Sequence, residues 1–189
     1  MQAVAAIRDK IYDHFQANAA CQKYFFDAAN EDEYAAYYNS MYLLQNSTES
    51  LWQHRKSGFS PNCLLAYLEF WGVMQAVIIQ QDSIAEIYKI VKRRSLDRSC
   101  LKSWLELRIL RNVTAGHPAK KDQPKKAPLT RSFMGRAFGG YDTITYEQWQ
   151  QGVGRTHPHV PLGALLDAYA IEAEGQLASV FAKMKTRWP

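Results

Sequence analysis

Leu64-Leu65-Ala66-Tyr67-Leu68-Glu69-Phe70-Trp71-Gly72-Val73-Met74-Gln75-Ala76-Val77-Ile78-Ile79 is the longest apolar stretch of the chain. Its apolar residues recur on nearly every side of a 3.6-residue period, which predicts a helix at the centre of a bundle. Glu69 and Gln75 interrupt the run, and it is too short to span a bilayer. Ser60-Pro61 opens it, with proline at a first helical position where its missing N–H is harmless. Gln80-Gln81-Asp82 ends it. Ser83-Ile84-Ala85-Glu86 then matches a capping box, which predicts a kink or a new helix.

Working toward the N-terminus, residues 3–28 show helical spacing of Ile7, Ile11 and Phe15, then Tyr24 and Phe25, with Asn18 as an interruption. Asn30 stands at an N-cap position before Glu31, Asp32 and Glu33, whose charge complements a helix dipole. That helix continues through Tyr34, Tyr38, Met41, Tyr42, Leu51 and Trp52 and ends near Gly58. His14 and His54 sit alone in these helices and read as structural. Toward the C-terminus, a further helix is expected from about Asp97 to Ala115, followed by a charged, proline-broken loop. Residues 132–138 and 141–147 flank Gly139-Gly140, the spacing of a tight β-hairpin. Pro161 starts a last amphipathic helix. The predicted fold is mainly α: one domain over 1–189, a bundle of four or five helices. A basic loop and small β-hairpin are inserted at 118–149, before the last helix.

At 189 residues the chain is long enough for one substantial core, and 47% hydrophobic content excludes a disordered chain. Cys21, Cys63 and Cys100 are odd in number and lack paired spacing. That argues against a disulfide framework or zinc site and leads to the expectation of a reducing, cytoplasmic setting. No apolar signal core opens the chain, and no membrane association is expected. The net charge of +5 is unevenly spread: residues 1–91 hold 6 Lys/Arg against 10 Asp/Glu, residues 92–189 hold 17 against 8. Residues 92–136 alone hold 13 against 3, the local excess expected beside a polyanion.

That basic region brackets Arg108-Ile109-Leu110-Arg111-Asn112-Val113-Thr114-Ala115-Gly116-His117-Pro118. Gly116 suits a left-handed helix-ending position, and Pro118 disfavours helix at His117. Arg111 then projects from the last helical turn with His117 just beyond. Arginine holds phosphate through a rigid donor fork, and histidine exchanges a proton near neutral pH. Together they suit metal-free phosphodiester cleavage. Arg108, three residues earlier, shares part of this face and is a candidate RNA contact or an ion-pair partner. Lys120, Lys121, Lys125 and Lys126 are candidates for holding an RNA backbone. Gln80, Gln81 and Asp82 read either as satisfied core groups or as supports for the arginine from a neighbouring helix. Trp104 and its apolar neighbours exceed one stripe, so part of the motif helix is expected at an interface. Arg111 and His117 also read simply as a basic helix C-cap. A Gly-rich phosphate loop, a nucleophile elbow and a carboxylate cluster for two-metal catalysis are missing from the sequence, and His157 with His159 are too few for a metal site.

The spacing Arg111-Asn112-x4-His117 resembles the signature of the HEPN (higher eukaryotes and prokaryotes nucleotide-binding) superfamily: an arginine, a polar residue, and a histidine four to six positions on. The resemblance covers about a dozen residues. It implies a helical HEPN-like fold and a metal-independent endoribonuclease with no cofactor, with Arg111, Asn112 and His117 as the catalytic set. His117 would act as base toward the RNA 2′-hydroxyl or acid toward the leaving 5′-oxygen, and Arg111 would stabilise the phosphate, giving a 2′,3′-cyclic phosphate. It further implies a homodimer that joins two motifs in one site. A toxin or phage-defence setting, with an antitoxin or regulatory protein as partner, is the corresponding expectation. Family toxins paired with a nucleotidyltransferase antitoxin often carry a tyrosine two residues after the histidine, where this chain has Ala119. The alternatives are a non-catalytic HEPN-like module binding nucleotide, nucleic acid or a partner protein, and a basic helical adaptor.

Overall fold

Helix α1 (Gln2–Ala17) turns Val4, Ile11 and Phe15 into the core. Asn18 breaks it with an extended backbone, and its Oδ1 accepts the Cys21 N–H at 2.8 Å, so the same residue caps α2 (Ala19–Phe25). Helix α3 (Glu31–Ser57) carries Glu31, Asp32 and Glu33 in its first turn and closes on Gly58 at φ 72°. Asn30 precedes α3 without capping it. Its amide instead donates back to the Tyr24 carbonyl at 2.9 Å. The computed structural model describes residues 1–116 and 128–189 and is mainly helical, with a small antiparallel strand region before the last helix.

Helix α4 (Cys63–Lys92) departs from the expected outline at both ends. Asn62, rather than Ser60-Pro61, starts it, its Oδ1 accepting the N–H groups of Leu64 and Leu65. No break follows Ile79: the helix runs unbroken for 30 residues, about 45 Å at 1.5 Å per residue, to Arg93 at φ 60°. The polar residues that resembled a boundary are internal partners. Gln80 donates to Thr48 Oγ1 at 2.7 Å across the α3–α4 contact, and Gln81 donates to the Trp104 carbonyl at 3.0 Å. Ser83 Oγ bonds back to the Ile79 carbonyl at 2.7 Å, the in-helix alternative to capping. By length and apolar composition α4 passes as a membrane span, but here it packs against α3 and later helices. Nor is it buried all round: Phe70, Val73, Met74 and Val77 face inward while Leu64, Leu65, Leu68 and Trp71 are exposed.

Helix α5 (Lys102–Arg111) begins later than Asp97, whose carboxylate instead accepts the Ser99 N–H at 2.9 Å in a preceding turn. No local side chain caps it. Glu172 of α6 (Leu162–Arg187) accepts the N–H groups of Ser103 and Trp104 at 3.1 and 2.8 Å, placing a carboxylate at the positive helix end. Trp104 is fully buried, edge-to-face on Tyr169 at 5.7 Å. It is therefore a core residue and not an interfacial one; Leu105 and Ile109 are the outward apolar residues of α5. The C-terminus closes the bundle: His14 and Asn18 bond the Trp188 carbonyl, and Arg187 donates to the Ile90 and Val91 carbonyls at the end of α4.

The hairpin expected around Gly139-Gly140 shrinks to a short bridged turn, and the main strand pairing lies elsewhere. Strands β1 (Thr130–Phe133), β3 (Glu147–Gln150) and β4 (Gly154–Thr156) form one antiparallel sheet in the order β1-β3-β4, while β2 (Ile144–Thr145) pairs with β5 (His159–Val160). Gly139 bridges Ile144, the Thr145 N–H donates to the Phe138 carbonyl at 2.7 Å and the Gly140 N–H to the Thr143 carbonyl at 3.0 Å, so this turn spans 140–143, while a second turn joins β3 to β4 at 151–153. The reason lies in the anchors: Met134, Phe138 and Ile144 are buried, with Phe138 5.4 Å from both Phe59 and Phe70. These residues bind the connecting chain to the bundle instead of alternating across a hairpin. Tyr141 reinforces the attachment. Burial pushes its phenol up to about 12, and the hydroxyl is hydrogen-bonded with His54 Nδ1 at 2.7 Å. Its ring lies under the Arg55 guanidinium at 4.6 Å, and its carbonyl accepts the Gly163 N–H at 2.7 Å.

Candidate functional site

Helix α5 does not end in the left-handed glycine turn that the sequence suggests. Residues Asn112–Gly116 form a wider π-turn, and Gly116 is not among the positive-φ residues. Such one-turn widenings occur often at functional sites. Thr114 is buried and its hydroxyl bonds back to the Leu110 carbonyl at 2.7 Å, while Ser132 of β1 donates to the Val113 carbonyl. The strand layer thus braces the turn that carries the motif.

Gly116 has a different duty. A Cβ there would lie 2.8 Å from Arg111 Nη1, so the missing side chain is the space the guanidinium occupies. Gly116→Ala is expected to leave the melting temperature unchanged, since a flexible tip can move aside. It should lower any activity that depends on Arg111 by about 10- to 100-fold, the usual penalty for displacing a reacting group by about 1 Å. Unchanged activity would show that the arginine's position is immaterial.

The two arginines of the motif helix differ in electrostatic state. Arg108 Nη1 donates to Asp82 Oδ1 at 2.8 Å and to Gln81 Oε1 at 3.1 Å, so its charge is balanced within the fold. Among the described residues Arg111 Nη1 and Nη2 meet only neutral oxygens, Asn112 Oδ1 and Gln75 Oε1, each at 3.3 Å. Among the described residues no carboxylate pairs with Arg111. Asp82 and Gln81 therefore support the earlier arginine, and Gln75, which sequence spacing did not single out, supports the later one. The only signal for Gln75 was a polar side chain inside an apolar run.

Gln75 also lines a groove of about 480 Å³ between α3 and α4, walled by Leu43, Gly72, Ala76 and Ile79. The exposed Leu64, Leu68 and Trp71 stand one and two turns apart on α4 and continue to Gln75. Leu105 and Ile109 are also exposed on α5. Arg111 thus lies at the end of the exposed apolar row of α4, through its bond to Gln75. His117, Lys120, Lys121, Lys125 and Lys126 lie outside the described residues. The structure brings together Arg111, Asn112, Gln75 and Gly116, with Arg108 alongside but engaged by Asp82. Compared with known proteins, the chain matches no family model, no curated protein and no solved structure.

Proposed function

We propose that the protein is a metal-independent endoribonuclease of HEPN type. The observation that carries this reading is Arg111: a guanidinium on the last turn of α5 held by two long bonds to neutral amides, with no carboxylate partner among the described residues. A charge so placed is available to a phosphate, and Asn112 and Gln75 hold it in position without neutralising it. The HEPN spacing supplies the second group, His117, six residues on. His117 removes the proton of the RNA 2′-hydroxyl or protonates the departing 5′-oxygen, and Arg111 stabilises the charge gathered on the phosphate. The 2′-oxygen forms the new bond to phosphorus as the bond to the 5′-oxygen breaks, leaving a 2′,3′-cyclic phosphate and a 5′-hydroxyl.

The exposed apolar row on α4 favours a homodimer. Leu64, Leu68 and Trp71 lead along α4 to Gln75, the partner of Arg111, and suit a two-fold contact that brings two Arg111 side chains toward one cleft. A role in cytoplasmic defence or as a toxin, held in check by a protein partner, fits such an activity. The test is incubation with single-stranded RNA in excess chelator. Cleavage to cyclic-phosphate ends is expected. Cleavage abolished by chelator would overturn the mechanism, and RNA binding without cleavage would favour a non-catalytic nucleic-acid-binding module.

A further inference from the structure

The three-stranded sheet carries a cross-strand row that the motif does not use. In its register Arg131 of β1 lies opposite Trp149 of β3, and Trp149 lies opposite Arg155 of β4. Directly opposed residues project to one face, so a guanidinium stands on each side of an indole. Phe133 and Glu147, two residues along their strands and opposite each other, share that face. Glu147 confirms the arrangement by reaching Arg155 Nε at 3.7 Å and His157 Nε2 at 3.5 Å. The other face holds Ser132, which bonds the motif's π-turn at Val113. Arg131, Phe133, Arg155 and His157 are exposed, with Phe133 55% accessible.

We infer that this sheet face is a binding surface for single-stranded RNA, with bases stacking on Trp149 and Phe133 and phosphates held by Arg131 and Arg155. Charge complementarity selects this occupant. The row has two guanidiniums against one carboxylate, and Glu147 is shared between Arg155 and His157 while Arg131 has no ion-pair partner among the described residues. Aromatic rings interleaved with arginines on an open sheet are a sequence-tolerant stacking platform for unpaired bases. An acidic peptide would use the arginines and leave the rings idle. The strand that bears Arg131 is fastened through Ser132, on its opposite face, to the turn that follows Arg111, so the sheet and the proposed cleavage site are held at a fixed distance from each other.

The inference builds on the ribonuclease reading, but its test is binding and needs no turnover. The probe is a fluorescein-labelled oligouridylate, titrated by anisotropy into intact Arg111→Ala protein, which leaves the probe uncleaved. Adding Trp149→Ala is expected to weaken binding about tenfold or more, with Trp149→Phe restoring most of it. Adding Arg131→Gln and Arg155→Gln together should weaken binding and lower the salt slope by about 0.7 per lost phosphate contact. The arginine pair is exposed, so it decides the matter even where Trp149→Ala disturbs the sheet. Unchanged affinity and salt slope in the paired variant would overturn the sheet as an RNA surface and leave the cleavage reading intact. Equal competition by polyglutamate would overturn stacking recognition in favour of simple charge. A wild-type protein that binds no oligouridylate would overturn both readings.

Discussion

Arg111→Ala is expected to lower RNA cleavage by about 100- to 1,000-fold, the range for removing one preorganised donor to a transition-state oxyanion. The fold should be unaffected, because among the described residues Arg111 makes only two long side-chain bonds, both to neutral amides at 3.3 Å. Circular dichroism and melting temperature should match wild type. His117→Ala should lose about 100- to 10,000-fold, the range for a positioned general acid or base. Activity that survives both substitutions would remove the motif from the chemistry and leave it as a helix ending. The same variants report assembly. A mixed dimer with one His117→Ala subunit should retain much less than half the wild-type activity if both motifs build one site, whereas independent sites would leave about half. Dilution to monomer should abolish cleavage on the first arrangement and preserve it on the second.

Trp104→Ala is expected to produce the largest loss of stability. Trp104 is fully buried, packs edge-to-face on Tyr169 and lies in the first turn of α5. Truncation of so large a core side chain costs about 3–5 kcal/mol, because the cavity only partly collapses. Against a total of about 5–15 kcal/mol that is a large fraction. The melting temperature should fall by on the order of 10 °C for a chain of this size. The effect should reach the site as well, since the Trp104 backbone connects Glu172 of α6 and Gln81 of α4 to the helix bearing Arg111. A melting temperature within about 2 °C of wild type would mean that α5 is held elsewhere.

Helical class, the order of the helices and the strand layer before α6 were legible in periodicity, because a buried stripe must recur at the pitch of the helix that carries it. Asn18, Gly58 and Arg111 at a helix end could be read in place, since caps, stops and motif spacings act within a few residues. What depended on distant partners could not. Gln80, Gln81 and Ser83 have the composition of a break, yet α4 runs through them because Thr48 and Trp104 supply partners for the glutamines from other helices. The start of α5 was misplaced because its cap, Glu172, comes from α6. Gly139-Gly140 has the chemistry of a hairpin turn, but burial of Phe138 and Ile144 on the bundle set a different strand register. The same division runs through the site. Arg111, Asn112 and His117 stand out in the linear sequence, whereas Gln75 as the partner of Arg111 and the neutralisation of Arg108 by Asp82 exist only once α4 and α5 meet. Local propensity selects an element and its end; which charge is left unbalanced is a property of the side chains that tertiary packing brings within a few ångströms of it.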